Sequence, residues 1–127
     1  MKKAILIAVM TLFSTNAFAA AECSQESLAD LRAMTPEQAG VCASSTEADL
    51  TKKYESLLVK FKGAGNGLED TLKSSQTSWI DMRDRNCSIV NQAIPTDPTY
   101  GTNAIRARNI CNIIMNTQRS DFLSLYL

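Results

Sequence analysis

Residues 79–87 read WIDMRDRNC and residues 111–119 read CNIIMNTQR. Cys87 lies eight residues after Trp79, and Cys111 lies eight residues before Arg119. In an antiparallel pair of helices, residues at one level carry numbers with a constant sum. Cys87 with Cys111 and Trp79 with Arg119 share one such sum. A disulfide at one level therefore predicts an indole beside a guanidinium about two turns away, since eight residues rise roughly 12 Å along a helix. The same sum sets Ile94 level with Ala104, and the connection between them, residues 95–103, holds Pro95 and Pro98, which stop a helix.

Leu68, Leu72, Ser75, Trp79, Met82, Asn86, Ile89 and Ala93 keep a 3-4 alternation, which predicts a helix over about residues 68–94 with that stripe inward. The last helix, over about residues 104–126, is expected to turn Ile110, Ile113, Ile114, Thr117 and Leu125 inward. Upstream, Gly63-Ala64-Gly65-Asn66-Gly67 breaks the pattern, with Asn66 placed to cap the helix that starts near Leu68. Leu50, Tyr54, Leu57, Leu58 and Phe61 recur at helical spacing after the start signal Ser44-Ser45-Thr46-Glu47, predicting a helix to about residue 62. Thr35-Pro36-Glu37-Gln38 has the form of a capping box with proline at the first helical position, so a separate short helix through Cys42 is expected. Residues 24–34 read as an amphipathic turn or two, with Leu28 and Leu31 on one side. No repeat and no β-alternation interrupts this pattern. The expected fold is a small all-α bundle with a long C-terminal antiparallel helix hairpin, stapled by two disulfides.

Residues 1–19 have the form of a cleaved signal peptide: Lys2 and Lys3, an apolar stretch over residues 4–13, then Ala17-Phe18-Ala19 as the small-x-small site. The apolar stretch is too short for a stable anchor. Ala21-Glu22 before Cys23 is not a lipid-attachment context, so no membrane anchor is expected after cleavage. Residues 20–127 then form one small helical domain of roughly 110 residues, expected in the periplasm or secreted. The leader carries two of the thirteen basic residues and none of the thirteen acidic ones, leaving a mild negative balance of two charges. That balance argues against nucleic acid, which needs a concentrated basic footprint.

All four cysteines, Cys23, Cys42, Cys87 and Cys111, remain after cleavage, in an oxidising compartment. Three pairings are possible; the mirrored spacing favours Cys87–Cys111, which leaves Cys23–Cys42. With no histidine and no CxxC pair, zinc is not expected, nor is any other metal or cofactor. The absence of histidine also removes the commonest general base, and no serine sits in a G-x-S-x-G elbow. Glu69-Asp70 and the Asp81/Asp84 pair are the nearest carboxylates to a glycosidase arrangement, but such spacing on helices reads as a solvated face. No catalytic residues are assigned.

Trp79 reads as a core anchor, Arg119 as a guanidinium stacked on its ring, and Asp84 as a partner for an arginine between helices. With Arg83 these form a structural signature. The loop Pro95-Thr96-Asp97-Pro98-Thr99-Tyr100-Gly101 is the candidate contact surface, with Asp97 and Tyr100 as the contact residues, since tyrosine suits interfaces.

The set Cys42-Ala43, Leu50-Thr51-Lys52-Lys53-Tyr54, Gln76-x-x-Trp79-Ile80-x-x-Arg83-Asp84-x-x-Cys87 and Cys111 with Arg119 eight on resembles the N-terminal domain of the LprI-type lysozyme-inhibitor family. The resemblance covers roughly residues 23–125. It departs at Thr51, where the family usually has asparagine, at Asn116, where it usually has threonine, and in the proline-containing loop. It implies a small secreted bacterial envelope protein that binds a lysozyme or another peptidoglycan hydrolase and blocks its cleft, with no catalytic residues of its own. The alternatives are a periplasmic immunity protein against a peptidoglycan amidase and an envelope protein with another protein partner. A third, a hydrolase using carboxylates, requires turnover that depends on Asp81 or Asp84.

Overall fold

The computed structural model describes residues 23–93 and 101–127, and the helices below are those of the described residues. They are α1 (Gln25–Ala29), α2 (Pro36–Lys62), α3 (Leu68–Ala93) and α4 (Gly101–Ser124), with a 3₁₀ turn over Leu31–Ala33 between the first two.

The capping box forms as expected. Thr35 Oγ1 accepts from the Gln38 N–H at 3.2 Å, and Gln38 Oε1 accepts from the Thr35 N–H at 3.0 Å, with Pro36 opening the helix. The two helices expected on either side of Ser44 are instead one helix of 27 residues. Thr46, within the run expected to start a second helix, donates its hydroxyl backward to Cys42 O (2.8 Å) and Ala43 O (3.1 Å). That back-bonding serves a helix interior as readily as a start signal would serve an end.

Gly65 and Gly67 both adopt positive φ, 69° and 79°, so the turn after α2 requires residues without a Cβ penalty. Gly67, not Asn66, immediately precedes α3, and its carbonyl accepts from the Thr71 N–H at 3.1 Å. Helix α4 begins at Gly101, three residues before expectation, so part of the anticipated connection is helical. Asp97 and Tyr100 lie outside the described residues.

Helices α2 and α4 run parallel, because contacts step up both chains together. Asn116 reaches the Ala43 carbonyl near the start of α2, and Lys60 Nζ donates to the Tyr126 carbonyl (2.6 Å) near its end. Helix α3 runs antiparallel to both, giving an up-down-up bundle in which α4 packs most extensively on α2 and α3 packs mainly on α4. Two apolar clusters result. The lower one holds Met34, Ala39, Cys42, Ala43 and Ile113. The upper one holds Leu50, Leu57, Leu72 and Leu123, with Trp79 and Phe61 packed against it.

Both disulfides lie in the lower half. Cys23–Cys42 fastens the N-terminal arm to α2 with Cα atoms 4.7 Å apart, and Cys87–Cys111 joins α3 to α4 at 5.5 Å. Arg106 on α4 holds the same arm by donating to the Met34 and Arg32 carbonyls, acceptors left open where the 3₁₀ turn ends.

The inward faces of α3 and α4 differ from the expected stripes. On α3 the buried positions are Leu72, Gln76, Arg83 and Cys87, with Trp79 half-buried, whereas Met82 and Ile89 are 45% and 63% exposed. On α4, Ile113, Asn116, Arg119, Ser120 and Leu123 are buried, while Ile114 and Thr117, and Leu125 just past the end of the helix, are exposed. The disulfide explains the rotation on α3. Cys87 must face α4, so the inward stripe runs back from it at positions 83, 79, 76 and 72. That is about one residue, roughly 100°, away from a stripe through Met82 and Ile89.

Candidate functional site

Between the two apolar clusters lies a polar layer built from α2, α3 and α4. Arg83, on the inward face of α3 one turn before Cys87, is only 8% exposed. Its Nη1 donates to Asn116 Oδ1 on α4 (3.1 Å) and to Glu47 Oε1 on α2 (3.3 Å), so one guanidinium ties three helices. Its Nε donates to Asp84 Oδ1 at 2.9 Å. Asn116 is fully buried and completes the link by donating to Thr46 Oγ1 (3.2 Å) and to the Ala43 carbonyl (3.4 Å). The layer is viable because the buried Asn116 amide finds partners for both its oxygen and its nitrogen; a buried polar group left without one costs about 1–3 kcal/mol.

Trp79 stands between two cations. The Arg83 guanidinium carbon lies 5.3 Å from the ring centroid and that of Arg119 lies 5.8 Å away. The second contact realises the level relation expected from the mirrored spacing. Arg119 is also buried, 5.2 Å from the Phe122 ring, and donates to Gln76 Oε1 and Ser75 Oγ, each at 3.0 Å. Burial lowers the pKa of its guanidinium below the ordinary value by desolvating the charged form.

Of the four residues read as a signature, Trp79, Arg83 and Arg119 meet in this layer. Asp84 is at its edge, with its side chain 59% exposed, and its arginine is its own neighbour on α3 rather than one across the helices. The carboxylate that bridges helices is Glu47, which sequence reasoning does not single out. Asn116 stands out in the sequence only as a departure from the resembled pattern, and Gln76 only as part of it. The signal that finds them is helical phase, Gln76 with Cys87 eleven residues on and Asn116 with Arg119 three residues on. The carboxylates with the nearest glycosidase spacing stand on the surface. Glu69 pairs with Lys73 at 3.1 Å and Asp81 with Arg85 at 3.1 Å, both four residues on along α3. The Glu69 contact raises the Lys73 pKa by hydrogen bonding and by charge.

The arrangement is that of a stiff scaffold. Arg83, Asn116 and the Cys87–Cys111 disulfide fix the relation of all three long helices in the lower half, where the hairpin connection emerges, and Cys23–Cys42 fastens the N-terminal arm to α2. Among the described residues no helix is long and apolar enough to cross a membrane. No curated protein and no solved structure matches the chain. The family description "Lysozyme inhibitor LprI" matches residues 23–123, from the disulfide-bound arm almost to the end of α4. With its cysteines, its tryptophan and both stacked arginines inside that match, the chain belongs to the lysozyme inhibitor LprI family.

Proposed function

We propose that the chain acts outside the cytoplasm, in the periplasm after removal of residues 1–19, as a protein inhibitor that covers the active-site cleft of a lysozyme. The observation that carries this reading is the family match over residues 23–123. The physical support is the scaffold. An inhibitor held in one conformation loses little freedom on binding, and that preorganisation raises affinity. Cys87–Cys111 ties α3 to α4 within two turns of Ala93, where the connection to Gly101 departs. The contact residues proposed are Asp97 and Tyr100 in that connection. An aromatic side chain anchors the contact and a carboxylate faces polar groups of the cleft. Trp79, Arg83, Asp84 and Arg119 serve the fold rather than the contact.

Purified protein comprising residues 20–127, with disulfides intact, is expected to abolish cell-wall clearing by a susceptible lysozyme at near-stoichiometric ratio. Tyr100→Ala is expected to raise the inhibition constant by about 30-fold, the loss typical of a central interface anchor, with an unchanged Tm. Full lysozyme activity against every structural type tested, or retrieval of a peptidoglycan amidase as the tight partner from periplasm, would overturn the reading.

A further inference from the structure

At the upper end of the bundle, away from both disulfides, the ends of α2 and α4 and the start of α3 enclose a groove of about 440 Å³. Its walls are almost wholly apolar: Leu57, Phe61, Leu68, Leu72, Phe122 and Tyr126. Arg119 also lines it. Leu68, Phe122 and Tyr126 are more than one third exposed, so the walls present apolar surface to whatever enters.

The two arginines that flank Trp79 differ in one respect. Arg83 has carboxylates from Glu47 and Asp84 within 3.3 Å. Arg119, equally buried, has no carboxylate within 4 Å among the described residues. Its two acceptors, Gln76 Oε1 and Ser75 Oγ, are neutral. A guanidinium carries five N–H donors, so the hydrogen bonds to those two leave three. A desolvated cation whose charge is offset only by aromatic faces and neutral oxygens, at the wall of an apolar groove, is complementary to an anion with an apolar body. A carboxylate offers two oxygens to such a fork and forms the strong, charge-assisted kind of hydrogen bond. The groove volume lies toward the lower end of the range for small-molecule sites, which suits one acyl chain rather than a two-chain lipid.

We infer that this groove binds a single-chain fatty acid, its carboxylate on Arg119 and its alkyl chain along Leu57, Phe61, Leu68, Leu72 and Phe122. The site is separate from the hairpin connection proposed to meet lysozyme, and it does not depend on that activity. Because Trp79 is the single tryptophan of the chain and stacks on Arg119, its emission reports occupancy directly.

The test is titration of residues 20–127, disulfides intact, with sodium dodecanoate below its micellar concentration at pH 8, monitored by Trp79 fluorescence and calorimetry. One-to-one saturation is expected, with dodecanol binding at least about tenfold more weakly because it lacks the charge. Leu68→Glu places a like charge at an exposed wall position and is expected to remove dodecanoate binding while far-UV circular dichroism and Tm stay as in the parent. Arg119→Gln is expected to erase the preference for dodecanoate over dodecanol. No saturable uptake by the parent protein, or equal affinity for dodecanol and dodecanoate, overturns the inference. So does self-association that Leu68→Glu abolishes in the absence of dodecanoate binding, which would assign the groove to a second copy.

Discussion

Reduction of both disulfides is expected to lower the Tm of the domain by about 20 °C or more, and to leave little folded protein at 37 °C. Cys23–Cys42 and Cys87–Cys111 join residues 19 and 24 apart in sequence. In the chain-entropy model, closing loops of that size stabilises by about 3 kcal/mol each. A domain of this size has a total stability of about 5–15 kcal/mol, so losing both bonds removes much of it. The two are not equivalent in what they hold. Cys23–Cys42 pins an arm that also rests on Arg106 and on the lower apolar cluster through Leu28 and Leu31. Cys87–Cys111 joins α3 to α4 beside polar side chains, among them Glu47, Arg83, Arg108 and Asn112. Thermal denaturation with and without a phosphine reductant measures the combined effect, and paired serine replacements separate the two. A fall of only a few degrees would mean that the helices pack stably without staples.

Arg83→Ala is expected to cost about 3 kcal/mol, although both of its ion pairs are dispensable. Glu47 and Asp84 have side chains 57% and 59% exposed, so on losing Arg83 each returns to water, and pairs of this kind contribute about 0–1 kcal/mol. The larger loss lies inside. Asn116 Oδ1, on a residue with no exposure, would lose its donor, a penalty of about 1–3 kcal/mol. The aliphatic stem of Arg83 and its stacking on Trp79 would go as well, the latter worth about 0.5–1 kcal/mol or more. Urea denaturation of Arg83→Ala, Glu47→Ala and Asp84→Ala resolves the contributions, with the two carboxylate variants expected to lose less than about 1 kcal/mol. An Asp84→Ala loss as large as that of Arg83→Ala would show that the surface ion pair, not the buried link to α4, carries the effect.

Much of this architecture is legible in the residues. The mirrored spacing about Cys87 and Cys111 identifies the hairpin, its disulfide and the meeting of Trp79 with Arg119. Thr35 and Gln38 mark the start of α2, and the glycines at 63–67 mark its end. What misleads is polarity on buried faces. A stripe drawn by hydropathy favours Met82 and Ile89 over Arg83 and Gln76, because hydropathy does not register that Arg83 and Asn116 satisfy each other. The run Ser44-Ser45-Thr46-Glu47 misleads for a related reason, since a threonine hydroxyl that bonds backward to Cys42 O leaves the helix unbroken. The parallel packing of α2 on α4 is a long-range relation that local spacing does not encode, and only the register of contacts such as Asn116 with Ala43 reveals it.

The candidate site divides along the same line. Its structural half, the layer around Trp79, is visible in the sequence as a pattern but not as a network, because Glu47, Thr46 and Asn116 come from helices remote in sequence. The proposed contact half, Asp97 and Tyr100, lies outside the described residues and rests on the sequence between Ala93 and Gly101 alone.

Competition measures the proposed mode of action most directly. Residual lysozyme activity on a soluble oligosaccharide substrate is titrated with oxidised protein at several substrate concentrations. Occlusion of the cleft predicts an apparent inhibition constant that rises linearly with substrate concentration, with one inhibitor bound per enzyme. An inhibition constant independent of substrate, or activity undiminished at a large excess of the protein, would contradict it.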